Sequence, residues 1–281
     1  MLEIEWITIP EGEFVMGIST EEAQSLATQH PSRAFEHECP QRSVYLPTFQ
    51  ISKYPITYGQ YVEFVEASKH FDTNHYRDDT KDRHYAAFSE PKNYKPRLMS
   101  PDYAMARRAG DTSILNHPVA WVNWHDAHAF CTWLGARLPT EAEWEKAARG
   151  TLGLRYPWGN DWRENHCNSH EFGINMKHDG SPLTTPVDAF SQGASPYSVL
   201  DMAGNVWEWT SSWLATKYMY PKHFGASDER DYEFEESIEM PILRGGSLAC
   251  NQLGVRTTLR FVKYQSHQWG DWVGFRCVRD V

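Results

Sequence analysis

The hydrophobic pattern of this chain changes period as it runs. Trp6-Ile7-Thr8-Ile9 and Glu13-Phe14-Val15-Met16 are short strand-like runs on either side of the turn tripeptide Pro10-Glu11-Gly12, which together predict a hairpin. Residues 17–41 are polar and irregular. A strand pair is predicted at Ser43–Leu46 and Phe49–Lys53, with Pro47 between the two. The spacing then lengthens. Thr57 and Gln60 form a capping-box pattern, and Tyr61, Phe64, Val65 and Ser68 fall on one face of the helix it opens. Val119-Ala120-Trp121-Val122 reads as a buried strand. Asn123 with Asp126 opens a helix through Ala127, Phe130, Cys131 and Leu134 that stops at Gly135. Thr140 with Glu143 opens another, with Trp144 and Ala147 inward and Gly150 past its end. No helix is predicted after Gly150. The charged, aperiodic stretch His70–Arg108 reads as an insertion and Ser227–Met240 as an acidic loop.

Composition adds limits. A chain of 281 residues fits one large core, and a hydrophobic content of 41% excludes disorder over most of it. The 12 Trp point to a rigid, indole-rich core or an aromatic-lined site. A net charge of −10 argues against a nucleic-acid partner. No apolar run approaches a membrane span and the start lacks a signal-peptide pattern, so a cytoplasmic chain with no membrane partner is expected. Five cysteines (39, 131, 167, 250 and 277) without a CxxC spacing predict mostly reduced, buried thiols. Long ordered loops cost backbone entropy, about 1–2 kcal/mol per residue, so oxygen-rich clusters that could hold a cation are of interest. Asp201 and Glu208 flank such a glycine turn; spacing alone serves turn capping and an arginine pair at least as well.

The densest polar and aromatic stretch is Leu243–Arg279, between Arg244-Gly245-Gly246-Ser247 and Gly274-Phe275-Arg276. With those two motifs stand Ile9–Gly17, Ile51–Thr57, Val122–Ala127, Gly135–Glu145, Tyr156-Pro157-Trp158-Gly159-Asn160 and Asp201–Trp209. In this order the set resembles the formylglycine-generating enzyme, or sulfatase-modifying-factor, family from end to end. The resemblance implies one domain over 1–281 with an α+β, C-type-lectin-like fold, low in regular structure and rich in long ordered loops. It also implies structural calcium on Asp201, the Gly204 and Val206 carbonyls and Glu208. A second calcium set falls on Asn168, the Ser169 carbonyl, Asp179 and the Ser181 carbonyl. Cys277 is implied to lie beside Cys131.

Catalytic members of the family bind copper(I) through two cysteines of the last segment and oxidise a substrate cysteine there. Ser247 and Cys250 fall on the active-site serine and the first of those cysteines. Asn251-Gln252-Leu253-Gly254-Val255 contains no sulfur, and one thiolate holds copper(I) poorly. The expectation is therefore a binding module for a peptide, a protein or a small ligand. Its candidate contacts are Asn251, Arg256, Tyr264, His267, Trp269 and Trp272, with pairing to core carboxylates as the competing role for Arg256 and Arg260. The alternative is a copper-dependent oxidase with Cys250 as sole protein thiolate. His125 and His128 are read as scaffold histidines.

Overall fold

The computed structural model describes residues 2–31, 35–68, 100–170, 184–216, 219–221, 232–234, 238–262, 264 and 266–281. Its first strands, β1 (Trp6–Ile9) and β2 (Gly12–Met16), do not form the predicted hairpin. They run in line, and β3 (Arg42–Leu46) and β4 (Phe49–Ser52) run back beside them. Ile9 pairs with Phe49 and Gly12 with Leu46, so the register carries unbroken from one pair to the other. The ladder is interrupted only at Pro10 and Pro47, which have no N–H to give. In that gap the Glu11 N–H donates to Thr48 Oγ1 at 3.1 Å. The turn signals were real, but they split a ribbon rather than reverse the chain. A last strand, β10 (Val278–Asp280), pairs with the other edge of β4 and brings the C-terminal segment to the N-terminal ribbon.

Five α-helices are described. α1 (Thr20–Gln29) lies in the stretch read as irregular: Ser19 caps it, but only Ala23 and Leu26 are buried, too few for a visible period. α2 (Tyr58–Ala67), α4 (Trp124–Leu134) and α5 (Glu141–Arg149) all start at capping boxes, those of Thr57–Gln60, Asn123–Asp126 and Thr140–Glu143. α3 (Pro101–Ala109) corrects the insertion reading at its C-terminal end, where Ser100 caps and left-handed Gly110 closes a helix. Residues 70–99 of that insertion lie outside the described residues. Val119, Ala120 and Val122 are buried, but the run forms no strand, and Trp121 within it takes a positive φ of 62°. After Gly150 the helical segments among the described residues are short 3₁₀ turns, and no α-helix is described there, as expected.

The central sheet is β8 (Ile238–Arg244), β5 (Trp207–Thr216) and β9 (Val273–Phe275), with β5 antiparallel to β8 and parallel to β9. A short ribbon of β6 (Met219–Pro221) and β7 (Tyr232–Phe234) accompanies it. Both β7 and the start of β8 fall inside the predicted acidic loop, whose residues 227–231 and 235–237 are not described. The largest core cluster joins α2 and α4 to this sheet. Tyr61 stacks on Phe130 at 5.9 Å, and Phe275 meets Phe130 edge-on at 5.3 Å.

Candidate functional site

The frame of the site is built from buried ion pairs. Arg244 is wholly buried; Nη1 donates to Glu141 Oε1 at 3.2 Å and Nη2 to Glu145 Oε2 at 2.5 Å, and each also serves a carbonyl, Thr258 or Thr257. Its guanidinium lies 5.3 Å from the Trp144 ring. The next residue must be small, since a Cβ on Gly245 would sit 3.0 Å from that indole. Gly246 has φ +75°, and a Cβ there would meet the Gly254 carbonyl at 2.4 Å. At the other end of the segment, Arg276 grips Glu208 with both Nε and Nη2, at 2.6 and 2.7 Å, while Trp144 Nε1 donates to the same carboxylate at 2.6 Å. Two strongly hydrogen-bonded ions therefore replace water in a dry interior.

The turn that precedes Glu208 is knotted by Asn205, fully buried at a φ of 60° that asparagine tolerates better than most residues. Its Nδ2 donates to Asp201 Oδ2 at 2.9 Å and to the Thr185 carbonyl at 3.1 Å. Burial pushes the Asp201 carboxyl up to about 7, against the pull of Asn205 and Arg276. Of the first calcium set, the Gly204 and Val206 carbonyls accept no hydrogen bond among the described residues. Both Glu208 oxygens, by contrast, are taken by Arg276 and Trp144. Asp201 Oδ2 is bonded to Asn205, and Glu208 would have to share its carboxylate with a guanidinium. Of the second set, the Asn168 carbonyl accepts the Asn205 N–H at 2.8 Å, and the Ser169 hydroxyl stands 3.4 Å from Cys167 Sγ. Asp179 and Ser181 lie outside the described residues.

Between the framing motifs, Ser247 Oγ stands 3.8 Å from Cys250 Sγ. The thiol is half-buried and seated against Gly254, where an added Cβ would be 3.3 Å from the sulfur. Asn251 serves the backbone: its Oδ1 accepts from the Leu253 and Gly254 N–H groups and caps the 3₁₀ turn Gln252–Val255. Arg256 is also spent internally, on buried Glu38, with Nη1 to Oε2 at 3.0 Å and Nη2 to Oε1 at 2.5 Å. The competing role therefore describes Arg256 as well as Arg260, which pairs with Glu141. Tyr264, His267, Trp269 and Trp272 remain half-buried along the segment. Tyr264 meets Phe261 edge-on at 6.4 Å, and Phe261 stacks on Trp207 at 4.6 Å.

Two groupings had no sequence signal. His125 bonds Ser266 at 3.1 Å, which ties α4 to the segment carrying His267. Burial, with His128 and His267 nearby, drives the His125 imidazole down to about 4. Likewise, Tyr156, Trp158 and Trp162 form an aromatic cluster on whose flank both Cys167 and Cys250 pack. Cys131 and Cys277 sit in the core with their sulfurs 3.2 Å apart, adjacent as the resemblance implied.

Such a frame, an α+β domain with open sheets and long ordered loops around a polar segment, defines the C-type-lectin-like class of scaffold. The chain belongs to the FGE-sulfatase family: residues 3–281 match the sulfatase-modifying factor enzyme 1-like domain. It is 30% identical over 296 residues to the formylglycine-generating enzyme of Streptomyces coelicolor, covering 98% of this chain and 89% of that protein. It is also 30% identical over 302 residues to the inactive C-alpha-formylglycine-generating enzyme 2 of Bos taurus, covering 98% and 88%. The structure of PvdO from Pseudomonas aeruginosa shares the fold, with a TM-score of 0.62 at 24% identity over 99% of this chain and 95% of that one.

Proposed function

We propose that this chain is a formylglycine-generating-enzyme-like binding protein that holds a peptide, protein or small ligand along Cys250–Trp272. The observation that carries the reading is the turn after Cys250. It closes on itself through the Asn251 cap and passes straight to the Arg256–Glu38 pair, and it offers no second sulfur. Tyr264, His267, Trp269 and Trp272, further along the segment, are half-buried aromatic side chains of the kind that anchors ligands. The alternative, a copper-dependent oxidase, rests on the retained Ser247–Cys250 contact at 3.8 Å. Anaerobic titration with copper(I) separates the two. We expect no tight stoichiometric binding; tight binding abolished by Cys250→Ala overturns the binding-module reading.

Structural calcium belongs to the same proposal. Asp201 and the carbonyls of Gly204 and Val206 would hold the ion with Glu208, and Asn168 and Ser169 would contribute to the second site. Calcium is expected to raise the melting temperature and chelator to lower it, since an ion bound only by the folded state stabilises that state. Identical melting in calcium and in chelator sinks this part.

A further inference from the structure

A second half-buried thiol lies against the same small cluster as Cys250. Cys167 and Cys250 both pack against the cluster of Tyr156, Ala203 and Val255. The two turns that carry them are joined directly, for the His170 N–H donates to the Cys250 carbonyl at 2.8 Å. Asn205 fixes both from one point: its N–H donates to the Asn168 carbonyl at 2.8 Å, and its carbonyl accepts the Leu248 N–H at 3.0 Å. A hydroxyl stands beside each sulfur, Ser169 at 3.4 Å from Cys167 and Ser247 at 3.8 Å from Cys250. The remaining thiols are elsewhere. Cys131 and Cys277 face one another in the α2–α4 core, and Cys39 packs with α1, its thiol directed at the Ser19 carbonyl.

We propose that Cys167 and Cys250 are a redox-active thiol pair, closed into an intramolecular disulfide by exchange with a low-molecular-weight disulfide such as oxidised glutathione. The Cys250 thiolate attacks one glutathione sulfur, breaks that S–S bond and releases a glutathione thiolate. Cys167 then passes its proton to the released thiolate and attacks the Cys250 sulfur, expelling the second glutathione. One S–S bond breaks and one forms; two electrons leave the protein, and glutathione departs as one thiol, carrying the Cys167 proton, and one thiolate. Burial pushes the Cys167 thiol up to about 11, which suits it to the second, resolving step rather than the first attack. Closure ties the turn at 167–170 to the turn at 247–250 and withdraws the Cys250 thiol from the ligand surface. The proposal goes beyond ligand binding and does not depend on which ligand is bound.

The test uses the whole protein, equilibrated with oxidised glutathione, acid-quenched, alkylated and digested for mass spectrometry. A peptide pair linking Cys167 to Cys250 is expected, reversed by dithiothreitol and formed equally in Cys39→Ser. In Cys167→Ser, checked for an unchanged circular dichroism spectrum, Cys250 should stop at the glutathione mixed disulfide. A wild-type protein that also stops there, with Cys167 still open to alkylation, overturns the proposal. So does a copper(I) ion held by the reduced protein and lost equally in Cys167→Ser and Cys250→Ala, since the pair would then be a metal site. Should Cys167→Ser misfold, the wild-type linkage map alone decides.

Discussion

The two ends of Leu243–Arg279 and the stretch between them are built on opposite principles. At the ends, Arg244 and Arg276 are buried completely, and every strong contact goes to a carboxylate or a carbonyl of the same molecule. Between them, Ser247 and Cys250 touch only loosely, and Tyr264, His267, Trp269 and Trp272 stay half-buried. The framing ends thus secure position, while the middle keeps its thiol and these aromatic side chains partly open to solvent. α5 shows how far the framing goes. Glu141, Glu143, Glu145, Lys146 and Arg149 are all buried on that one short helix. Glu145 alone receives Arg244, Arg149 and the Gly17 N–H. Lys146 is held by the Pro10 and Gly12 carbonyls, where the ribbon ladder is broken. Charge here locks loops together and takes the place that regular ladders hold in other folds.

The sharpest way to break the contrast is to remove one partner of a framing pair. Arg276→Met strands the Glu208 carboxylate in the core and is expected to cost about 3–5 kcal/mol in urea unfolding. A loss no larger than a surface substitution gives would mean that water reaches Glu208. Next in size is an effect of pH. His125 takes a proton near its usual 6.5 in the unfolded chain but only near 4 in the folded one. The His125 contribution is therefore complete above 6.5 and falls as the pH drops through that window, by up to about 3 kcal/mol, while the Asp201 carboxyl, raised to about 7, contributes in the opposite direction. Urea midpoints measured between pH 7.5 and 4 should lose stability more steeply toward acid in the wild type than in His125→Asn; an unchanged slope in the variant assigns the acid sensitivity elsewhere.

Gly246→Ala comes third. A side chain at φ +75° facing the Gly254 carbonyl should cost about 1–3 kcal/mol, read as a lowered melting temperature. The smallest effect is expected inside the site. Cys250→Ala should change stability by less than about 1 kcal/mol, since its side chain is half-buried, while abolishing thiol labelling on the ligand surface. If instead it melts the protein as Arg276→Met does, Cys250 belongs to the frame and the division proposed here is wrong.

Much of the fold was legible along the chain, for reasons that differ by element. The capping boxes at Thr57, Asn123 and Thr140 are local chemistry, complete within four residues, so the helices they open could be read directly. α1 escaped because only Ala23 and Leu26 are buried, too few for a visible period, and α3 because it lies in an aperiodic, charged stretch, although Ser19, Ser100 and Gly110 carried the start and stop signals. Pro10 was read as part of a hairpin turn, whereas it and Pro47 interrupt a continuous ribbon, because which strand pairs with which is a long-range matter. Ser247 and Cys250 were picked out by motif, and the structure sets them in contact. Asn251 and Arg256 looked like ligand contacts because polarity alone does not tell whether a partner is internal. For Arg256 the partner is Glu38, more than two hundred positions away.

By itself, then, the sequence determined what local bonding can encode: capped helices, glycine-marked framing motifs, and the family to which their order belongs. Only the tertiary structure decided which charges are spent on one another and which thiols meet, because these are contacts between segments that no periodicity links. Cys167 is the plainest case. Nothing in its neighbours marks it, and only the bonds made by His170 and Asn205 bring its turn beside that of Cys250.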